Sequence, residues 1–267
     1  MKYLLIDRDH NHGDAIMALP TICALAKQLE PEPLYLCFAN LKVLELAELP
    51  SNVVHVMLSE PQWRNQEMMV QMLGVGAACN FDPCHATMHP IHFLMAWAGL
   101  DVDLSDLPQP RIVVPEMDVP AYDVVLAPWA NAYERKMTPT AALELYATLQ
   151  QSTIIVGGPN DPVIAPSRDV RDYHSIPRAY GQSFAYVVNL MRRAKVVVTT
   201  DSGPGRLAHA AGVGDRHIIL DSGITPWRSQ GHPGAVQVKG RIEAGQALWN
   251  IDDIVNAIKE RLCVPHS

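Results

Sequence analysis

Residues 199–212 read Thr-Thr-Asp-Ser-Gly-Pro-Gly-Arg-Leu-Ala-His-Ala-Ala-Gly and follow the β-branched run Val196-Val197-Val198. A buried strand that ends in a carboxylate, a hydroxyl and two glycines, then enters a small-residue helix, sets main-chain N–H groups at a helix N-terminus. A diphosphate can sit there. Gly203 and Gly205 carry no Cβ, so the backbone can approach such a ligand closely. The plainer alternative is a strand-to-helix turn capped by Asp201 or Ser202.

Four further segments place polar residues just after apolar strands. Arg8-Asp9-His10-Asn11-His12-Gly13-Asp14 ends with Asp14 at the start of a helix, where the macrodipole favours its ionised form. Helix capping accounts for that carboxylate as readily as chemistry does, and the loop lacks G-x-G-x-x-G, so a nicotinamide or flavin fingerprint is absent. Residues 128–139 carry Arg135 and Lys136 ahead of a helix, in reach of phosphate oxygens or simply solvated. Gly157-Gly158-Pro159-Asn160-Asp161 offers an acidic side chain for ribose hydroxyls. Asp221-Ser222-Gly223-Ile224-Thr225-Pro226-Trp227 is the last of these loops.

The elements that position these loops alternate between strand and helix. The first half reads as strand Tyr3–Asp7, helix Asp14–Leu29 with a kink or late start at Pro20, strand Leu34–Phe38, helix Leu41–Glu48 and strand Val53–Leu58. Helices Trp63–Leu73 and Met88–Ala98 follow, the second ending at Gly99. Residues 101–121 are rich in Asp and Pro, with one short strand at Ile112–Val114, and form the best linker. The second half reads as strands Val124–Ala127, Thr153–Val156, Val196–Thr200 and His217–Leu220, with helices Pro139–Gln150, Ser183–Arg193, Arg206–Ala211 and Asp252–Leu262. Such alternation predicts parallel sheets with helices on both faces, in domains 1–120 and 121–267. Ligands in these sheets lie beyond the carboxyl ends of the strands.

Composition narrows the class. With 48% hydrophobic and 18% charged residues in 267, the chain can bury a substantial core. No apolar run reaches the roughly 20 residues that cross a bilayer, and no signal-peptide pattern opens the chain. Five cysteines, an odd number, read as reduced thiols of a cytoplasmic protein. Residues 1–120 hold 6 Lys and Arg against 15 Asp and Glu, while the rest hold 15 against 13. The acidic first half disfavours nucleic acid, and the second half is the better host for phosphates.

Four segments in this order, "GDAIMALPTICALAKQ", "LAPWANAYERKMTPTAALELYATL", "IIVGGPNDPV" and "VVVTTDSGPGRLAHAAG", resemble the heptosyltransferase-like family of GT-B glycosyltransferases. This is glycosyltransferase family 9, the group of ADP-heptose:lipopolysaccharide transferases. The tail "DSGITPWR" resembles the family's Gly-x-Thr-x-Pro segment, and "HPIHFLMAWAGLD" its interdomain-side helix. The resemblance implies two Rossmann-like doubly wound domains facing across a cleft. It implies an inverting, metal-independent enzyme that needs no cofactor and moves a sugar from a nucleoside diphosphate to an acceptor hydroxyl whose identity stays open. By it Asp14 is the general base, Lys136 holds the diphosphate, Asp201, Ser202 and Gly203 line the donor site with Gly205 and Thr225, and Asp161 contacts the ribose.

Arg206 stands where the family usually has His. It can clamp a phosphate but cannot shuttle a proton near neutral pH, although His209 lies one turn on. Two other readings therefore stay open: a degenerate nucleotide-sugar binder, and an epimerase or hydrolase using His12 or Glu134 as a second acid/base. Cys79, Cys84 and His85, with His89 and His92, hold enough ligand types for zinc, but the C-x4-C spacing is not that of a finger or ribbon. No metal is expected. The cysteines read as small core residues and the histidines as cleft lining, where His12, His89 or His92 can meet the acceptor.

Overall fold

Val196–Thr200 forms a central strand of a six-stranded sheet, buried along its whole length. The structure, a computed structural model, describes residues 3–7, 12–38, 46–56, 77–81, 111–130, 132–149, 151–162, 176–224 and 234–263. The chain divides into two units, Met1–Val113 and Val114–Ser267. The boundary falls inside the Pro-rich segment.

In the first unit, strands β1 (Tyr3–Asp7), β2 (Leu34–Phe38), β3 (Val53–His55) and β4 (Ala77–Phe81) form a parallel sheet in the order β3-β2-β1-β4. Helix α1 (His12–Leu29) follows β1 and buries Ile16, Leu19, Ile22 and Leu25, one stripe at helical spacing. Strand order reverses between β1 and β4, so the switch point lies at the carboxyl end of β1, where α1 begins.

The second unit orders its sheet β10-β9-β8-β5-β6-β7, all parallel. Its strands are β5 (Val124–Ala127), β6 (Thr153–Gly157), β7 (Arg178–Tyr180), β8 (Val196–Thr200), β9 (His217–Asp221) and β10 (Val236–Lys239). A hairpin of β11 (Arg241–Glu243) and β12 (Gln246–Leu248) follows. One set of strand side chains, Val124, Leu126, Val196, Val198, Ile218 and Leu220, packs with α2 (Pro139–Thr148) and α5 (Ile251–Leu262). The alternate set, Val125, Val197 and Ile219, is equally buried, and α3 (Phe184–Arg193) packs against α4 (Gly203–Ala210). Burial of both faces is why these strands read as unbroken β-branched runs. Here the order reverses between β5 and β8.

Some elements differ from expectation. Helix α1 begins at His12 and runs through Pro20 rather than starting late. Residues 46–48 are not helical: Val113 N–H donates to the Leu46 carbonyl at 2.7 Å and Ala47 bridges Ile112, so pairing with a distant segment overrides the local apolar pattern. Ile112–Val114 is accordingly a single bridge and not a strand. Helix α4 starts three residues before Arg206, because Gly203-Pro204-Gly205 fills its first turn; proline needs no N–H partner there. Strands β4, β7, β10 and the hairpin were not anticipated. The expected helices at 63–73 and 88–98 lie outside the described residues.

Candidate functional site

Parallel pairing brings the carboxyl ends of β5, β6, β8 and β9 to one edge of the second sheet, with Ala127 beside Thr199 and Thr200 beside Leu220. The loops after β5 and β8 flank the reversal of strand order, the place where open α/β sheets leave a crevice.

Trp129, only 2% exposed, organises this edge. Its carbonyl accepts from Thr200 Oγ1 at 3.1 Å and from Ser202 Oγ at 3.3 Å, and the two hydroxyls lie 2.7 Å apart. Its indole N–H donates to the Tyr180 hydroxyl at 3.0 Å, which in turn donates to the Pro162 carbonyl at 3.3 Å. Gly157 is glycine because a Cβ there would stand 2.8 Å from the Trp129 ring. Sequence reasoning missed Trp129; an aromatic directly after a buried strand and before a polar loop was the available signal.

Ser202 is the N-cap residue of α4, yet its hydroxyl makes no capping bond, having turned to Trp129. Its N–H is also engaged, donating to the Thr200 carbonyl at 2.8 Å. The Ser202 hydroxyl thus turns towards Trp129 and Thr200. Thr138, Ser183 and Asn250 do cap α2, α3 and α5 through their side chains. The first helical bond of α4 runs from Arg206 N–H to the Ser202 carbonyl, so the Gly203 and Gly205 amides precede the helical ladder. A Cβ on Gly205 would lie 2.8 Å from the Thr200 carbonyl oxygen. Close packing of α4 on β8 therefore gives Gly205 a reason independent of any ligand.

Asp201 is 4% exposed. Its Oδ2 accepts from Ser222 Oγ at 2.8 Å, and its carbonyl accepts from Arg135 Nη1 at 3.0 Å. Arg135 closes a 3-10 turn, Tyr133–Arg135, that delivers Lys136 to this edge. The Lys136 carbonyl accepts from Gln246 Nε2 of β12 at 3.3 Å, and its ammonium lies 5.3 Å from the Tyr133 ring centroid, a cation–π contact. Asp161 accepts the Gly158 N–H on Oδ2 at 2.6 Å, so its carboxylate also shapes its own turn.

Arg206 is 7% exposed and sits near two histidines. Burial, then the Arg206 charge, lowers His209 to about 4. Burial, then His209 and Arg206, lowers His217 to about 3. His217 Nε2 lies 2.9 Å from Thr199 Oγ1. Both values lie well below neutral pH, so the two rings are uncharged there.

In the first unit, His12 and Asp14 lie in the first turn of α1, at its switch point. Thr225, Cys84, His85, His89 and His92 lie outside the described residues, as does the side chain of Cys79 in β4. Among the described residues there is no group of three His, Cys, Asp or Glu poised for a metal, and no helix long and apolar enough to cross a membrane.

No protein-family model and no curated protein sequence matches this chain. Solved structures do. The two parallel-sheet units have the fold of the GT-B glycosyltransferases. The likeness extends over 98% of the chain to a family 9 glycosyl transferase from Veillonella parvula, covering 97% of that chain at 14% identity and a TM-score of 0.67. An ADP-heptose lipopolysaccharide heptosyltransferase II from E. coli gives 98% coverage of both chains, 14% identity and a TM-score of 0.65. An iron-containing dodecameric glycosyltransferase from enterotoxigenic E. coli is matched over 97% of this chain and 77% of its own, at 13% identity and a TM-score of 0.66.

Proposed function

We propose that this chain is an inverting, metal-independent glycosyltransferase that moves a sugar from a nucleoside diphosphate to an acceptor hydroxyl. The observation that carries the reading is the N-terminus of α4: its N-cap hydroxyl is drawn away to Trp129, its first turn is Gly-Pro-Gly, and it opens beside the switch point. Main-chain donors so arranged favour an anion with several oxygens. The fold supports the same reading, and the free thiols of Cys23, Cys37 and Cys263 suit the reducing cytoplasm.

In this reading the Gly203 and Gly205 amides and the Lys136 ammonium hold the diphosphate, and the permanent charge of Arg206 adds positive potential behind them. Thr225 joins the donor site, and Asp161 meets the ribose. The acceptor oxygen attacks the anomeric carbon as the bond to the diphosphate oxygen breaks, and that electron pair leaves on the diphosphate. Attack opposite the departing diphosphate inverts the centre, and the acceptor proton passes to the Asp14 carboxylate. Diphosphate is a stable leaving group, so no proton donor is needed at Arg206. A second reading, a binder without turnover, rests on Arg206 and on His209, neutral above about pH 4.

Melting curves with ADP-, GDP- and UDP-sugars test the donor: at least one raises the midpoint, and a flat panel refutes both readings. Asp14→Asn separates them. A transferase loses about 100-fold or more in turnover while keeping its donor affinity; a pure binder shows no turnover to lose.

A further inference from the structure

Three loops meet at one residue. From the loop after β5, Arg135 donates to the Asp201 carbonyl at 3.0 Å. From the loop after β9, Ser222, 1% exposed, donates to Asp201 Oδ2 at 2.8 Å. The Ile224 N–H completes the series by donating to Ser222 Oγ at 3.4 Å, and the Gly223 N–H donates to Asp221 Oδ1 at 2.9 Å. The Asp201 amide is spent on the Leu220 carbonyl at 3.3 Å. Main chain and side chain of a single buried residue thus hold the loop that carries Lys136, the turn that opens α4, and the segment that leads to Thr225.

We infer that Asp201 is a positioning residue, and that Arg135 and Ser222 hold the three loops in register through it. This extends the donor site of the previous section and rests on that reading only for what the loops bind. The physical case is local. A carboxylate so deeply buried is costly unless its oxygens are satisfied, and Ser222 meets one of them. A guanidinium donating to a carbonyl makes a charge-assisted bond, stronger than a neutral one. Arg135 fixes the main chain of Asp201 and Ser222 its side chain, so the two contacts restrain one residue from two loops. Ser222 does not touch the Lys136 loop in this series except through Asp201, and that separation makes the inference testable.

Hydrogen–deuterium exchange on the full ligand-free chain reads the coupling directly. Arg135→Met keeps the alkyl stem and removes the donor at a half-exposed position, so it leaves the fold intact. It is expected to speed exchange of the Gly223 and Ile224 amides roughly tenfold, the effect of one charge-assisted bond. Ser222→Ala has the same effect, and the double variant adds little to either single one, the signature of a shared node. Unchanged protection at 222–224 in Arg135→Met, or additive losses, overturns the inference; if Ser222→Ala does not fold, the Arg135 variant alone decides it. Titration with ADP, GDP and UDP then separates this inference from the donor reading. Weaker binding by Arg135→Met, partly restored by Arg135→Lys at an unchanged melting midpoint, supports both. Coupled exchange in a protein that binds none of the three leaves the node standing and refutes the donor site.

Discussion

Arg135 reaches across 66 positions of sequence to donate to the Asp201 carbonyl at 3.0 Å. That bond lashes the loop after β5 to the turn after β8, the two segments that flank the reversal of strand order. With Gln246 holding the Lys136 carbonyl from the β11–β12 hairpin, the lysine is gripped by its main chain while its ammonium stays half-exposed. Preorganised cationic groups lose little freedom on binding, the condition for a tight anion site.

The packing of α4 on β8 is strict. Gly205→Ala puts a methyl 2.8 Å from the Thr200 carbonyl, a backbone atom that cannot swing aside. We expect a loss of about 1–3 kcal/mol, the usual cost of overpacking, measured as a lower midpoint in urea. An unchanged midpoint would mean that α4 slides along the strand without cost.

Stability falls with acidity through two histidines. Their folded values, about 4 for His209 and about 3 for His217, lie below the ordinary 6.5, so between those limits the unfolded chain binds protons that the folded chain refuses. The contribution is complete above pH 6.5 and drains away as pH falls towards 4 and 3, on the order of 1 kcal/mol per unit for each ring. Denaturation midpoints at pH 7.5 and 5.0 should show a smaller drop in His209→Gln than in the original chain. Equal drops would contradict the burial assigned to His209.

Segment 115–118 is fastened to α3. Asn189, 6% exposed, donates from Nδ2 to the Pro115 carbonyl at 2.9 Å and accepts the Met117 N–H at 3.4 Å. Arg193 pairs with Asp118 at 3.2 Å, but the Asp118 side chain is fully solvated and that pair contributes little. Asn189→Ala should cost about 1–3 kcal/mol and open 115–118 to limited proteolysis, whereas Asp118→Asn leaves both nearly unchanged. Equal effects would reverse that ranking.

Much of the second unit was legible because parallel strands buried on both faces leave unbroken runs such as Val196-Val197-Val198. The edge strand β7, Arg-Ala-Tyr, and the wholly exposed β11, Arg-Ile-Glu, carry no such pattern. The loops at the carboxyl edge could be located from sequence, since each follows an apolar strand. What each side chain does there could not. Ser202 reads as a cap or a ligand contact, and only the approach of Trp129 from 73 residues away turns its hydroxyl inward. Arg135 reads as half of a basic pair with Lys136, yet a turn sends one to a carbonyl and leaves the other over Tyr133.

The account stands on the second unit gripping a nucleoside diphosphate at this edge. Calorimetric titration of ADP, GDP and UDP in EDTA, into the original chain and Lys136→Met, tests it most directly. At least one nucleotide should bind without metal and weaken roughly 10- to 100-fold in Lys136→Met, the loss of one charge-assisted contact. Failure of all three to bind, or binding indifferent to Lys136, would contradict it.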